Sequence, residues 1–152
     1  MAAAGDDERV QVGLDLGADA GVNYRAQDLT AEVLRITDQR GVNVVFENIG
    51  DPTLFPKAFA SLARHGRLVT AGGHGGGIVP LDVNRLYHNQ ITVIGATGET
   101  PGDVHMSLEA AAAGRFGVVI DRVLPLSQAV LAHEIVAGRA GIGKVVLDAT
   151  RI

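Results

Sequence analysis

With 152 residues, 47% of them hydrophobic, the chain is long enough to bury one core and short enough to be one domain or part of one. Its 13 basic residues face 17 acidic ones, for a net charge of −4, and no stretch clusters Lys and Arg densely enough to neutralise a nucleic-acid backbone. The absence of cysteine excludes disulfides and thiolate metal sites.

Taken in chain order, the opening MAAAGDDERV carries acids where a secretory signal needs a basic start and an apolar run. Every later apolar run is broken by glycine or charge before it reaches a membrane-spanning length. A cytoplasmic protein with no membrane or nucleic-acid partner is expected. Residues 6–16 have helical spacing, with Val10 and Leu14 on one side and Gly17 as a stop, and a short strand follows over 20–24. Asp28 is placed to cap a helix running to about Gln39, with Leu29, Val33 and Ile36 on one face. VNVVF, residues 42–46, reads as a strand buried on both faces of a parallel sheet. Asp51 and Pro52 predict a capped helix start, with Leu54, Ala58, Phe59 and Leu62 carrying that helix to Gly66.

Strands are then expected over 67–71 and 91–97, separated by a helical stretch around 83–88. The last third predicts a helix over 103–113, a strand over 118–124, a helix over 127–137 and a strand over 144–149. Alternating helix and strand patterns of this kind indicate an α/β fold around a mostly parallel sheet, without internal repeat or long linker.

The run AGGHGGG, residues 71–77, follows one of these strands, at the end where open α/β sheets bind ligands. No frame in it satisfies G-x-G-x-x-G, so it is read as a clearance device and not as a pyrophosphate cradle. Close approach of a flat ligand and a turn needing positive φ are equally consistent with it. GRAGIGKV, residues 138–145, has Walker spacing but ends in Val145 and leads into a strand, which argues for a helix C-terminus followed by a strand. His65, His74, His88, His105 and His133 never pair at metal-ligand spacing. Ser61, Ser107 and Ser127 lie in helical patterns without a nucleophile elbow. Glu47, at a strand end, could hold a ribose or orient a base, but bonding to nearby backbone N–H groups is the more ordinary role.

LGADAGVNYR, GVNVVFENIG, LARHGRLVTAGG, ITVIGATGET and GRAGIGKVVLDA, in this order and spacing, resemble the C-terminal half of a medium-chain dehydrogenase/reductase. The quinone oxidoreductase and zinc-type alcohol dehydrogenase branches are the most similar. The resemblance implies a partial Rossmann-like, doubly wound parallel sheet that lacks its first βα unit. Residues 1–115 would be the partial NAD(P)-binding domain and 116–152 a return segment of the substrate domain. It implies NADPH or NADH as cofactor, with zinc only if a missing upstream domain supplies it.

By position, Arg9 and Tyr24 would meet the adenosine 2′-phosphate, a role that suits a cation and a phenol donor. Ala4 stands where NAD-specific members place a ribose-binding aspartate, whereas Asp6 and Asp7 add charge that opposes a phosphate. Asn48 and Ile49 would approach the cofactor riboses, Ala71, Gly72 and Gly73 the nicotinamide, and Lys144 the phosphates. No catalytic residue and no metal ligand carries over. The strand over 91–96 would pair with its twin across a two-fold axis to form a homodimer.

The resemblance also places the substrate domain, the central first strand and the G-x-G-x-x-G turn upstream of these residues. The chain is accordingly expected to be a truncated product, an expressed fragment or half of a split enzyme, with its strands in two disconnected groups and apolar surface exposed. Two functions follow from this sequence. One is part of an oxidoreductase that passes hydride between a nicotinamide cofactor and a carbonyl, alcohol or enone, inactive in isolation. The other is a noncatalytic α/β module that dimerises or binds a partner through exposed edges.

Overall fold

Short polar side chains set most of the helix starts. In the computed structural model, which describes residues 1–138 and 141–151, a first strand β1 (Ala2–Ala4) leads into α1 (Asp7–Asp15), capped by Asp6. After β2 (Gly21–Asn23), Asp28 caps α2 (Leu29–Ile36). The N–H groups of Arg9 and Ala31 donate to these caps and are the main reason that both carboxyls titrate below the ordinary carboxylate range. Three further elements alternate strand and helix: β3 (Val42–Glu47), α3 (Leu54–Ala60) and β4 (Leu62–Thr70). Asp82 then caps α4 (Val83–His88) before β5 (Thr92–Gly95). The chain divides into two units, Met1–Gly98 and Glu99–Ile152.

The strands of the first unit form two separate parallel sheets, β1–β2 and β3–β4–β5. The expected separation into disconnected groups is therefore present. Around β1–β2, adjacent residues meet different helices. A Cβ on Gly21 would strike Val10 of α1 at 2.3 Å, whereas Val22 is fully buried with Leu29 and Val33 of α2. Each face of this small sheet thus has a helix against it at β2, while Ala3 of β1 stays exposed. On β3–β4–β5, Leu68 packs with Phe55, Phe59, Leu62 and Ile91, and Val45 joins that cluster. Parallel register puts Val44, Phe46 and Ile94 on the opposite face, where they are 52%, 68% and 41% exposed.

Three boundaries differ from expectation. β1 was not foreseen, because three alanines carry no strand signature. The helix expected to run through Leu62 to Gly66 ends at Ala60. Leu62 instead pairs with Val42 and starts β4, and the register then jumps so that Val44 pairs with Arg67. His65, with φ of 62°, turns the backbone within that irregularity. Strand pairing here overrides a helical period that runs on through Leu62. Asp51 and Pro52 stand one turn before α3 and not at its cap and first position: Thr53 is the N-cap and helix starts at Leu54, while one Asp51 oxygen accepts the N–H groups of Thr53 and Leu54.

In the second unit, Thr100 and Asp103 form a reciprocal capping box with Pro101 at the start of α5 (Pro101–Ala112). β6 (Ile120–Pro125) passes through a short 3₁₀ turn (Leu126–Gln128) into α6 (Ala129–Ala137), and β7 (Lys144–Asp148) runs parallel to β6. Of the stretch 138–145, Arg139 and Ala140 lie outside the described residues, while Gly138 closes α6 and Lys144 opens β7. No helix among the described residues is long and apolar enough to cross a membrane.

Candidate functional site

Two loops meet at the carboxyl ends of β3 and β4, and glycine lets them meet. A Cβ on Gly72 would lie 2.2 Å from the carbonyl oxygen of Asn48, and one on Gly75 would lie 2.9 Å from that of Ile49. The N–H of Gly75 donates to Ile49 (2.6 Å) and that of Gly77 to Gly50 (3.1 Å). Gly76 and Gly77 have φ of 127° and 75°, which side chains rarely adopt. The turn reading therefore holds at Gly76 and Gly77, while Gly72 and Gly75 give room to protein backbone. The surface that approaches them is the Asn48–Ile49 backbone. Of the residues singled out from the sequence, Asn48, Ile49, Ala71, Gly72 and Gly73 are brought to this one place.

Glu47 holds that place together. It is buried, and its Oε1 accepts the N–H groups of Ile49 and Gly50, both at 2.7 Å, while Thr70 donates its hydroxyl to Oε2 at 3.0 Å. These three donors tie the carboxylate to the loop backbone and to β4, so its role is to fix the loop.

A second constellation gathers at the ends of β1 and β2. A Cβ on Gly5 would come within 3.1 Å of both Arg25 Nε and Tyr24 Oη, so the guanidinium and the phenol close over this glycine at contact distance. Arg9 sits one turn into α1, where its guanidinium pairs with Asp6. Arg25 also lowers the Asp6 carboxyl, after the larger effect of the Arg9 N–H. Asp7 is engaged by the Asn23 amide at 2.7 Å. Two guanidinium groups and a phenol donor thus gather beside two aspartates, Asp6 in an ion pair and Asp7 held by an amide. Arg25 was missed from the sequence, although it adjoins Tyr24 in NYR.

Tyr24, Asn48 and Ile49 line one cavity of about 310 Å³, which also opens onto β1 and the length of β3. Lys144 belongs to the second unit, where its N–H donates to the carbonyl of Val119 at 2.8 Å.

The sequence profile of the zinc-binding dehydrogenases matches residues 1–113. The chain belongs to that family. Quinone oxidoreductase-like protein 2 of Bos taurus is 37% identical over 95 residues, which cover 62% of this chain and 27% of that protein. Quinone oxidoreductase 1 of Escherichia coli K12 is 27% identical over 94% of this chain and 47% of its own length. A solved NAD-dependent alcohol dehydrogenase superposes with a TM-score of 0.83 at 29% identity, over 97% of this chain and 43% of that one. The chain spans less than half the length of these relatives. The resemblance to the C-terminal half of a medium-chain dehydrogenase/reductase, with a partial Rossmann sheet, accordingly stands. Despite the family's title, no group of three or more His, Cys, Asp or Glu among the described residues could hold a metal ion, and the sequence contains no cysteine. These residues do not compose a zinc site.

Proposed function

We propose that this zinc-binding dehydrogenase chain forms the adenosine and nicotinamide walls of a dinucleotide site in an NAD(P)(H)-dependent oxidoreductase. The groups that complete hydride transfer to a carbonyl, alcohol or quinone belong to polypeptide it does not contain. The observation that best supports this reading is the pairing of Tyr24 Oη and Arg25 Nε over Gly5, with Arg9 one turn into α1, at the carboxyl end of a parallel strand. A guanidinium and a phenol side by side suit a phosphate, and Ala4 supplies no carboxylate to select ribose hydroxyls, so NADPH is favoured over NADH. The dinucleotide, when bound, supplies the hydride; the chain's own residues bind and orient it. Tyr24, Arg9 and Arg25 hold the phosphate end. The Asn48–Ile49 and Ala71–Gly73 backbones form a flat floor held by Glu47.

The wider reading keeps residues 1–115 as the cofactor-binding part and 116–152 as the return segment, in a cytoplasmic homodimer paired through the strand at 91–96. A calorimetric titration tests the site. Saturable binding of NADPH, at least tenfold tighter than NADH, is expected, with the preference reduced by Tyr24→Phe combined with Arg25→Ala. Absence of binding by the folded chain, or equal losses for both dinucleotides in that variant, would contradict the assignment. A second reading, a noncatalytic module that binds a partner, is favoured by the bare sheet face around Phe46.

A further inference from the structure

We propose that Thr70 is a positioning residue whose hydroxyl makes the loops after β3 and β4 move as one. Thr70 ends β4, and the register sets it beside Glu47, the last residue of β3, so both side chains stand on the face that carries Val45 and Leu68. The hydroxyl has a single proton to donate. Oε2 of Glu47 lies at 3.0 Å and the carbonyl oxygen of Gly72 at 3.4 Å, so the proton goes to the carboxylate and Gly72 stays at the limit of bonding distance. That bond holds one carboxylate oxygen and leaves the other aimed at the N–H groups of Ile49 and Gly50. Because Glu47 is buried, bulk water does not replace a lost donor there.

The same two residues carry the constraint across to the second loop. Ile49 and Gly50 give their N–H groups to Glu47 and take the N–H groups of Gly75 and Gly77 on their carbonyls, at 2.6 and 3.1 Å. A chain of bonds therefore leaves the end of β4 at Thr70, crosses through Glu47 to residues 49 and 50, and returns to the loop that follows β4. Freeing the carboxylate at its Thr70 end lets the 49–50 peptides turn, and the carbonyls that hold the glycine run turn with them. That run has only His74 for a side chain between Gly72 and Gly77, so its order depends on such partners.

The coupling itself needs no ligand; its consequence for binding rests on the dinucleotide reading above. In that reading the Asn48–Ile49 and Ala71–Gly73 backbones are the floor under the nicotinamide end, whereas Tyr24, Arg9 and Arg25 hold the phosphate end from β2 and α1. Thr70 immediately precedes one half of the floor and is tied through Glu47 to the other. Its loss should therefore fall on the nicotinamide half of the ligand and spare the adenosine half.

Amide hydrogen exchange of the ligand-free chain tests the coupling. Thr70→Val keeps the branched shape and removes the hydroxyl, and should speed exchange at Ile49, Gly50, Gly75 and Gly77 together by about tenfold or more, with Val45 and Leu68 within about twofold. Thr70→Ser, which restores the hydroxyl, should return all four amides to within about threefold of the unsubstituted chain. If circular dichroism shows Thr70→Val to be misfolded, Thr70→Ala replaces it with the same expectations. Unchanged exchange at the four amides, acceleration at Ile49 and Gly50 alone, an equal rise at Val45 and Leu68, or a serine variant no better than valine would each overturn the proposal. Calorimetry then tests the binding consequence: Thr70→Val should weaken NADPH about fivefold or more and adenosine 2′,5′-bisphosphate, which lacks the nicotinamide, by less than about twofold. Equal losses for the two would overturn the positioning role. Failure of the unsubstituted chain to bind either ligand would instead overturn the dinucleotide reading, with the exchange result still deciding the coupling.

Discussion

The two sheets of the first unit are built from the same kind of parallel strand, yet one has a helix against each face and the other does not. β1–β2 has α1 against one face and α2 against the other, although its strands contain only three residues each. β3–β4–β5 has longer strands and a large cluster around Phe59 and Leu68, but only one covered face. Strand length and β propensity therefore do not decide whether a sheet is complete. What decides it is whether the chain supplies a helix for each face and a neighbour for each edge. The bare face is also the one that reads most apolar in the sequence, through Val44 and Phe46 of VNVVF.

Substitutions on the two faces should differ most sharply. Phe59→Ala removes a ring that is 2% exposed and leaves a cavity beneath β3–β4–β5, so a loss of about 3–5 kcal/mol is expected in denaturant unfolding. Glu47→Ala strands the N–H groups of Ile49 and Gly50 and should destabilise by about 1–3 kcal/mol, with the loss of order concentrated in the 48–51 and 72–77 loops. Heteronuclear NMR would show whether that loss stays local.

Asp28→Ala should lower the unfolding midpoint by less than either of these, because it removes the α2 cap and with it the exposed contact to Lys57 of α3 at 3.2 Å. Asp28 has its carboxyl lowered by the Ala31 N–H and Lys57, and Asp51 and Asp103 are lowered chiefly by the Thr53 hydroxyl and the Thr100 N–H. Groups with a depressed folded pKa add stability above the ordinary carboxylate range and lose it as the pH falls through and below that range. Acid unfolding curves should therefore steepen below about pH 4, and less so in Asp28→Ala. Phe46→Ser, on the bare face, should change stability by no more than about 0.5 kcal/mol. A large loss there would mean that this face is covered after all.

Most of the fold is legible in the sequence because its signals are local. Asp6 and Asp28 announce their helices by capping chemistry, and VNVVF announces a strand by its β-branched run. The misreadings arise where a distant partner decides. Leu62 continues the helical period from Phe59 until Val42 claims it as a strand partner, and the alanines of β1 become a strand only by pairing with residues 21–23. The candidate site divides in the same way. The glycine run is visible in the sequence, but its partner surface at Asn48 and Ile49 exists only after β3 and β4 align. The nearness of Arg25 to Gly5 depends on β2 lying beside β1.

Amide hydrogen exchange of this chain with and without NADPH tests the dinucleotide assignment most directly, because it reports both constellations at once. Slower exchange at Gly5 and at the amides of residues 48–50 and 71–73, with little change in the second unit, is the predicted result. Exchange that NADPH leaves unaltered in both loops, or that changes only over 99–152, would contradict it.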